Sequence, residues 1–182
     1  MLYELKPKGF RKARVWLGEI PEALETLAPE HPETLERTLA PGPHRIEERR
    51  QVALEVFIPL GGMIGGILLG AEFSPGTGPL ELRVRHGEEE GPWLDWTYQR
   101  MSVGIPSEFA AAVLEGAARA CEALGMGSGV LRFHWGAVSP VGSSVRVSDR
   151  TAALVVELLL LYPSGPSASE TLSEVLRRGP LL

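Results

Sequence analysis

The side chains that could perform covalent or acid–base chemistry are few and scattered. The histidines are His31, His44, His86 and His134. None stands at zinc-ligand spacing from a Cys, a Glu or another His, so no metal site is expected. Cys121, the single cysteine, falls on the apolar face of a predicted helix, where a small buried hydrophobe is expected. Ser143 and Ser144 follow Gly142 without the surroundings of a nucleophile elbow. Asp95 and Asp149 form no recognisable acid–base pair. No lysine follows Lys12, which excludes the Gly-x-x-x-x-Gly-Lys-Ser/Thr phosphate loop. The glycines between 61 and 70 read as a flexible strand connection before a phosphate cradle. Arg83, Arg85 and Arg132 with the tryptophans suit RNA stacking and phosphate contact. The acidic run 88–90 beside them argues against that use, and core packing is expected for Trp93, Trp96 and Trp135. No catalytic residue, metal or cofactor is expected.

The elements that must position these residues follow from pattern. Residues 13–20 alternate as a short strand. Pro21 suits the first position of a helix over 21–28, and a second short helix is read at 32–39, before the breaker Pro41-Gly42-Pro43. Strands are predicted at 51–58, 67–73 and 80–85, joined by a glycine turn at 61–66 and a Pro/Gly turn at 74–79. An acidic loop at 87–92 and a strand at 93–101 follow. The clearest helix is 106–124, with Phe109, Val113, Ala117, Ala120 and Leu124 on one stripe and Gly125 just past its end. A strand at 129–138 carries Leu131, Phe133 and Trp135 on one face. A loop at 139–148 leads to a core helix at 149–161, then a linker and a short amphipathic helix at 168–178. This order predicts an α+β fold: a two-layer sandwich of a mixed sheet packed by two main helices. An N-terminal strand–helix extension packed on the core is expected over 1–50, the core over 51–162, and a linker with terminal helix over 163–182.

Composition sets the class. The chain has 182 residues, 44% hydrophobic and 23% charged, which fits a globular domain and excludes a disordered or collagen-like chain. The net charge of -5 excludes a uniformly basic nucleic-acid binder. Cations nevertheless gather locally: Lys6, Lys8, Arg11, Lys12 and Arg14 against Glu4, and Arg132, Arg146 and Arg150 against Asp149. Asn is absent, Gln occurs only at 51 and 99, and Arg and Glu carry most of the charge, a thermophile-like bias that a GC-rich genome also favours. The lone cysteine and the lack of a signal-peptide pattern predict the cytoplasm. The uncharged stretch 56–71 is shorter than the roughly 20 residues of a spanning helix. It also contains Pro59 and five glycines, so no membrane association is expected.

Three segments, in order, resemble the fourth domain of translation elongation factor G, over about residues 51–162. The first is Gly61-Gly62-Met63-Ile64-Gly65-Gly66, leading to Phe73-Ser74-Pro75. The second, Ile105-Pro106-Ser107-Glu108-Phe109 with Ala112-Val113 and Gly116, is similar to the family's Ile-Pro-x-Glu-Tyr-x-x-Ala-Val-x-x-Gly helix start. The third, Val141-Gly142-Ser143-Ser144-Val145-Arg146-Val147, resembles the tip loop that enters the last core helix. The resemblance implies a ribosomal-protein-like fold with a left-handed βαβ crossover. It also implies a tip that reaches the decoding region of the small ribosomal subunit. Here Val141, Val145 and Arg146 stand where that tip has Asp, His and Glu, and the factor's GTPase domain has no counterpart.

The resemblance thus implies a non-enzymatic RNA- or ribosome-associated module without GTPase activity. Contact would run through the 139–150 loop, with Ser143, Ser144, Arg146, Asp149 and Arg150 as candidate binding residues. Two alternatives stay open. One is a protein-interaction or structural domain that has lost RNA binding, with a homodimer through open strand edges among its forms. The other is a small-molecule enzyme on a related fold, echoed faintly in Gly142-Ser143-Ser144.

Overall fold

A computed structural model describes residues 1–7, 12–20, 33–60, 63–87, 93–95, 97–98 and 100–178. The helix expected over 21–28, the acidic run 88–90, Gly61, Gly62 and Trp96 lie outside them. The described chain is α+β, with one mixed sheet and three helices.

The strands are β1 (Leu2–Leu5), β2 (Lys12–Leu17), β3 (Glu33–Leu39), β4 (Arg50–Leu60), β5 (Met63–Pro75), β6 (Leu80–His86), β7 (Trp93–Leu94), β8 (Met101–Val103) and β9 (Gly129–Val138). The helices are α1 (Ser107–Leu124), α2 (Val145–Leu161) and α3 (Ala168–Arg178). The sheet runs β1-β2-β4-β5-β9-β6-β3. β6 and β9 are parallel, and α1 lies between them in sequence; the other pairings between the named strands are antiparallel. β6 occupies the first half of one β9 edge, Gly129 to Phe133, and β8 takes Ala137 and Val138 beyond it.

Alternation sends the apolar side chains to the face that the helices cover. Ala13, Val15 and Leu17 of β2, Val52, Leu54 and Val56 of β4, Ile67, Leu69, Ala71 and Phe73 of β5, and Leu80, Leu82 and Val84 of β6 share one core. The predicted α1 stripe meets it with Phe109, Val113, Ala117 and Ala120. Helix α1 stops at Gly125, whose φ of 64° is the left-handed conformation that a helix-ending glycine supplies. The terminal helix α3 inserts Leu172, Val175 and Leu176 into the same core.

Four expectations need correction. Residues 33–39 form strand β3, not a helix. Thr34 and Thr38 are β-branched, burial alternates, and the residues pair with β6 from Glu33–His86 to Leu39–Leu80. Met63 to Gly66, expected in the glycine turn, belong to β5. Residues 93–101 are not one strand: β7 and β8 pair with each other instead. Helix α2 begins at Val145, four residues earlier than expected, because Ser144 caps it by accepting from the Val147 amide at 3.3 Å. The first 50 residues also do more than pack on the core. They extend the sheet at both sides, β1 and β2 beside β4 and β3 beside β6.

Candidate functional site

Two surfaces gather the residues of interest. The first is the end where the β4–β5 hairpin, the 139–144 loop and the start of α2 meet. Close backbone contact builds it: a Cβ on Gly65 would collide with the Gly142 carbonyl, so that approach requires glycine. The Ser139 amide donates to the Gly66 carbonyl at 3.0 Å, and the Ser143 hydroxyl donates to the same oxygen at 2.9 Å. Ser144 caps α2, and the Ser148 hydroxyl returns a bond to the Ser144 carbonyl at 3.0 Å. The first and third resemblance segments, about 80 residues apart in sequence, therefore meet in space.

Of the five candidate residues, Ser143 and Ser144 lie in this loop and are engaged in its structure. Arg146, Asp149 and Arg150 are on the first turns of α2, not in a loop. Asp149 turns toward α1 and receives both contacts of Arg119, at 2.9 and 2.7 Å. The ion pair raises the Arg119 pKa through hydrogen bonding and charge. Arg146 is exposed and makes no ion pair among the described residues. Arg150 is half-buried, with its Nη1 shielded and without a hydrogen-bond partner among the described residues. Val141 and Val145 are exposed beside them.

The second surface is the sheet face opposite the helices. A β-bulge between Gly70 and Ala71 sets Gly70 opposite Trp135 and Ala71 opposite Phe133, which leaves His134 as the extra residue of β9. The alternation of β9 reverses there. Leu131 and Phe133 point into the helix-side core, while Trp135 packs with Leu68, Met101 and Ala137 on the other side. The three expected to share one face do not. Trp93 also departs from the core expectation: it is 36% exposed, with the Arg100 guanidinium 4.5 Å from its ring centroid. Among the described tryptophans, the buried one is Trp16.

Beside the small apolar cluster under β7 and β8 lies an open cleft of about 430 Å³, lined by Arg49, Glu72, Arg85, Arg132, His134 and Trp135. Glu72 anchors it. Burial pushes its carboxyl up, but hydrogen bonds from Arg49, Gln51 and Ser74 outweigh burial and leave its pKa lowered. His134 stands edge-on to Trp135, with ring centroids 4.9 Å apart. Burial first, then the charges of Arg132, Arg85 and Arg49 against that of Glu72, hold the His134 pKa below its usual value. The imidazole is therefore neutral near neutral pH.

Farther across the same face, Glu55 is fully buried, and desolvation raises its pKa. It accepts from the Tyr98 amide at 2.7 Å and from Arg14 at 3.2 Å. Arg14 also lies 3.9 Å from the Tyr98 ring centroid. This clasp fastens the segment between β7 and β8 onto the sheet. A further cleft, of about 450 Å³, lies among His44, Arg50, Leu124, Glu157 and Leu161. Its arginine is engaged structurally: Arg50 donates to the Leu159 and Leu160 carbonyls at 2.9 and 3.0 Å, at the C-terminal end of α2. Cys121 is buried, which pushes its thiol up to about 12. It is therefore a protonated core residue at neutral pH.

Arg49, Glu72 and His134 were not singled out from sequence as binding residues. Arg85 and Arg132 suit RNA contact by residue type, but the acidic run 88–90 beside them in sequence speaks against it. The available signal was the alternation of Arg83 and Arg85 on β6, which becomes informative only once Arg83 is known to stand beside Arg132 in the parallel pair. Among the described residues, no helix is long and apolar enough to cross a membrane, and no three His, Cys, Asp or Glu residues gather as a metal site. Comparison with family models, with curated proteins and with solved structures gave no match.

Proposed function

We propose that the chain is a non-enzymatic module that binds RNA, on the ribosome or beside it, through the end formed by the β4–β5 hairpin, the 139–144 loop and the start of α2. One observation carries the proposal: the two tip segments of the resemblance converge there, and the exposed Arg146 beside them has no acidic partner among the described residues. Arg146 and Arg150 would contact phosphates, which a cation at a helix start can do without any base recognition. The run β4-β5-β6-α1-β9-α2, with β6 and β9 parallel, is compatible with the fourth-domain fold of elongation factor G. On this proposal the β6–α1–β9 unit is the left-handed crossover of that family, and the module works in the cytoplasm without GTPase activity.

The test is co-sedimentation with ribosomes and with total RNA at low salt, before and after RNase treatment. Wild-type protein should co-sediment, with binding falling steeply as salt rises. The double variant R146E/R150E should lose most of it. No co-sedimentation of the wild type at low salt overturns the proposal.

A second reading has its own support. Val141 and Val145 are exposed at 47% and 56% on the same end, as suits a protein-interaction surface. A partner retained after RNase treatment, and lost from V141S/V145S, would favour it. The outermost strands β1 and β3 would then offer edges for a homodimer.

A further inference from the structure

The cleft of Arg49, Glu72, Arg85, Arg132, His134 and Trp135 has a charge imbalance that the fold itself does not resolve. Four arginines lie on this part of the face, and two of them are matched. Arg49 bonds Glu72, and Arg83 is held by Glu81 at 2.8 Å and Glu36 at 3.4 Å. Among the described residues Arg85 and Arg132 make no ion pair and no side-chain hydrogen bond, although Glu72, engaged by Arg49, stands in register with Arg132 across β5 and β9; the Arg85 Nε is shielded from solvent without a partner among them. They stand on neighbouring strands: Arg132 is in register with Arg83, and Arg85 lies two residues along β6 on the same face. Two guanidiniums lining one cleft repel each other, and an anion between them relieves that repulsion. In a chain of net charge -5, this is a local site of the opposite sign.

The remaining walls say what kind of anion fits. His134 and Trp135 present a neutral imidazole and an indole beside the arginines, ring surface of the kind on which a nucleobase stacks. The volume of about 430 Å³ lies within the range of ligand sites. Arginine is the side chain best matched to phosphate oxygens, because its planar fork bonds two of them at once.

We propose that this cleft is a second RNA contact, in which Arg85 and Arg132 take a phosphodiester of single-stranded RNA and the His134–Trp135 pair takes an adjacent base. It rests on the RNA reading of the chain but uses a surface separate from the hairpin end. The bulge at Gly70–Ala71 is what creates it, since regular pairing would send Trp135 into the helix-side core. Glu72 serves as a positioning residue that holds Arg49 at the rim.

Fluorescence anisotropy with a labelled single-stranded oligouridylate, over about 50 to 200 mM salt, tests the site. R85A/R132A should bind about tenfold more weakly at the low-salt end, and the slope of log affinity against log salt should fall by about 0.7, as expected for one lost phosphate contact on a single strand. R85K/R132K keeps both charges and should restore the slope while leaving affinity below wild type, because the two-pronged contact is lost. Thermal melting of each variant shows whether it is folded. Unchanged affinity and slope in R85A/R132A overturn the cleft site, and impaired co-sedimentation of R146E in the same series leaves the hairpin-end reading standing. Ribosome co-sedimentation without oligouridylate binding likewise overturns the cleft alone. Loss of all RNA and ribosome binding in the wild type overturns both.

Discussion

The hairpin end and the cleft on the open sheet face are built from different materials. Small residues and backbone make the first: Gly65 against Gly142, Ser143 and the Ser139 amide on the Gly66 carbonyl, and Ser144 on the amide of Val147. Charged side chains from separate strands make the second, with Arg49, Glu72, Arg85 and Arg132 at its centre and the Arg14–Glu55–Tyr98 clasp farther across. The hairpin end should therefore respond to added bulk and be nearly indifferent to pH. The open face should respond to charge and pH and tolerate neutral changes in volume. A surface held by backbone contact can present an exposed cation such as Arg146, which has no ion pair among the described residues, without affecting its own stability. A surface held by ion pairs is coupled to whatever anion it meets.

The largest expected effect lies on the open face. Arg14→Ala leaves Glu55 buried with the Tyr98 amide as its remaining partner among the described residues, and breaking a buried pair in this way costs about 3–5 kcal/mol. Denaturant unfolding measures it, and a loss below about 1 kcal/mol would show that the clasp is not an electrostatic device. At the hairpin end, Gly65→Ala must push the Gly142 backbone away, at a cost of about 1–3 kcal/mol. Amide exchange at Ser139 should rise with it, and an unchanged melt would break the proposed backbone-built character of this end. Ser144→Ala removes the α2 cap and should cost about 1 kcal/mol, read from the same unfolding curves.

The two buried carboxylates of the open face sharpen the contrast through pH, with opposite signs. The raised pKa of Glu55 means that its contribution to stability is full below its unfolded pKa and declines as pH rises through the folded value. The lowered pKa of Glu72 means that its contribution is present above its unfolded pKa and is lost as pH falls through the folded value. Melting temperatures across the acid range should therefore diverge from wild type in opposite directions for E55Q and E72Q. Parallel curves would refute the assignment. The smallest effect is expected for Asp149→Ala, whose partner Arg119 is 61% exposed; such pairs contribute at most about 1 kcal/mol. It should leave RNA binding no weaker, since it removes a negative charge beside Arg146 and Arg150.

The legible parts of the fold were those with local causes. The stripe of α1 and its stop at Gly125, the limits of β9 and the terminal helix over Ala168–Arg178 all follow from apolar spacing and end signals. Residues 33–39 are ambiguous in sequence because Glu33, Leu35 and Leu39 fit either period over so short a run, and pairing with β6 decides between them. The start of α2 was placed late because Val145 to Ser148 lack an apolar stripe of their own, although Ser144 was an available cap signal. The hairpin end was half legible: its glycines and serines were visible, but their contact was not. The cleft was the least legible, because its residues come from positions 49, 72, 85, 132, 134 and 135 and meet only through strand order.

What the sequence by itself determined is therefore the α+β class, the helix faces, the absence of familiar catalytic motifs, and the segments that resemble a translation-factor domain. These depend on neighbours within a turn or a strand, whose spacing the chain carries directly. Only the tertiary structure decided that Asp149 turns to Arg119, that the bulge carries Trp135 to the open face, and that Arg85 and Arg132 line one cleft without an ion pair among the described residues. Each of these depends on which strands pair and in what register. A shift of one residue reverses every side chain beyond it, and no local pattern records it.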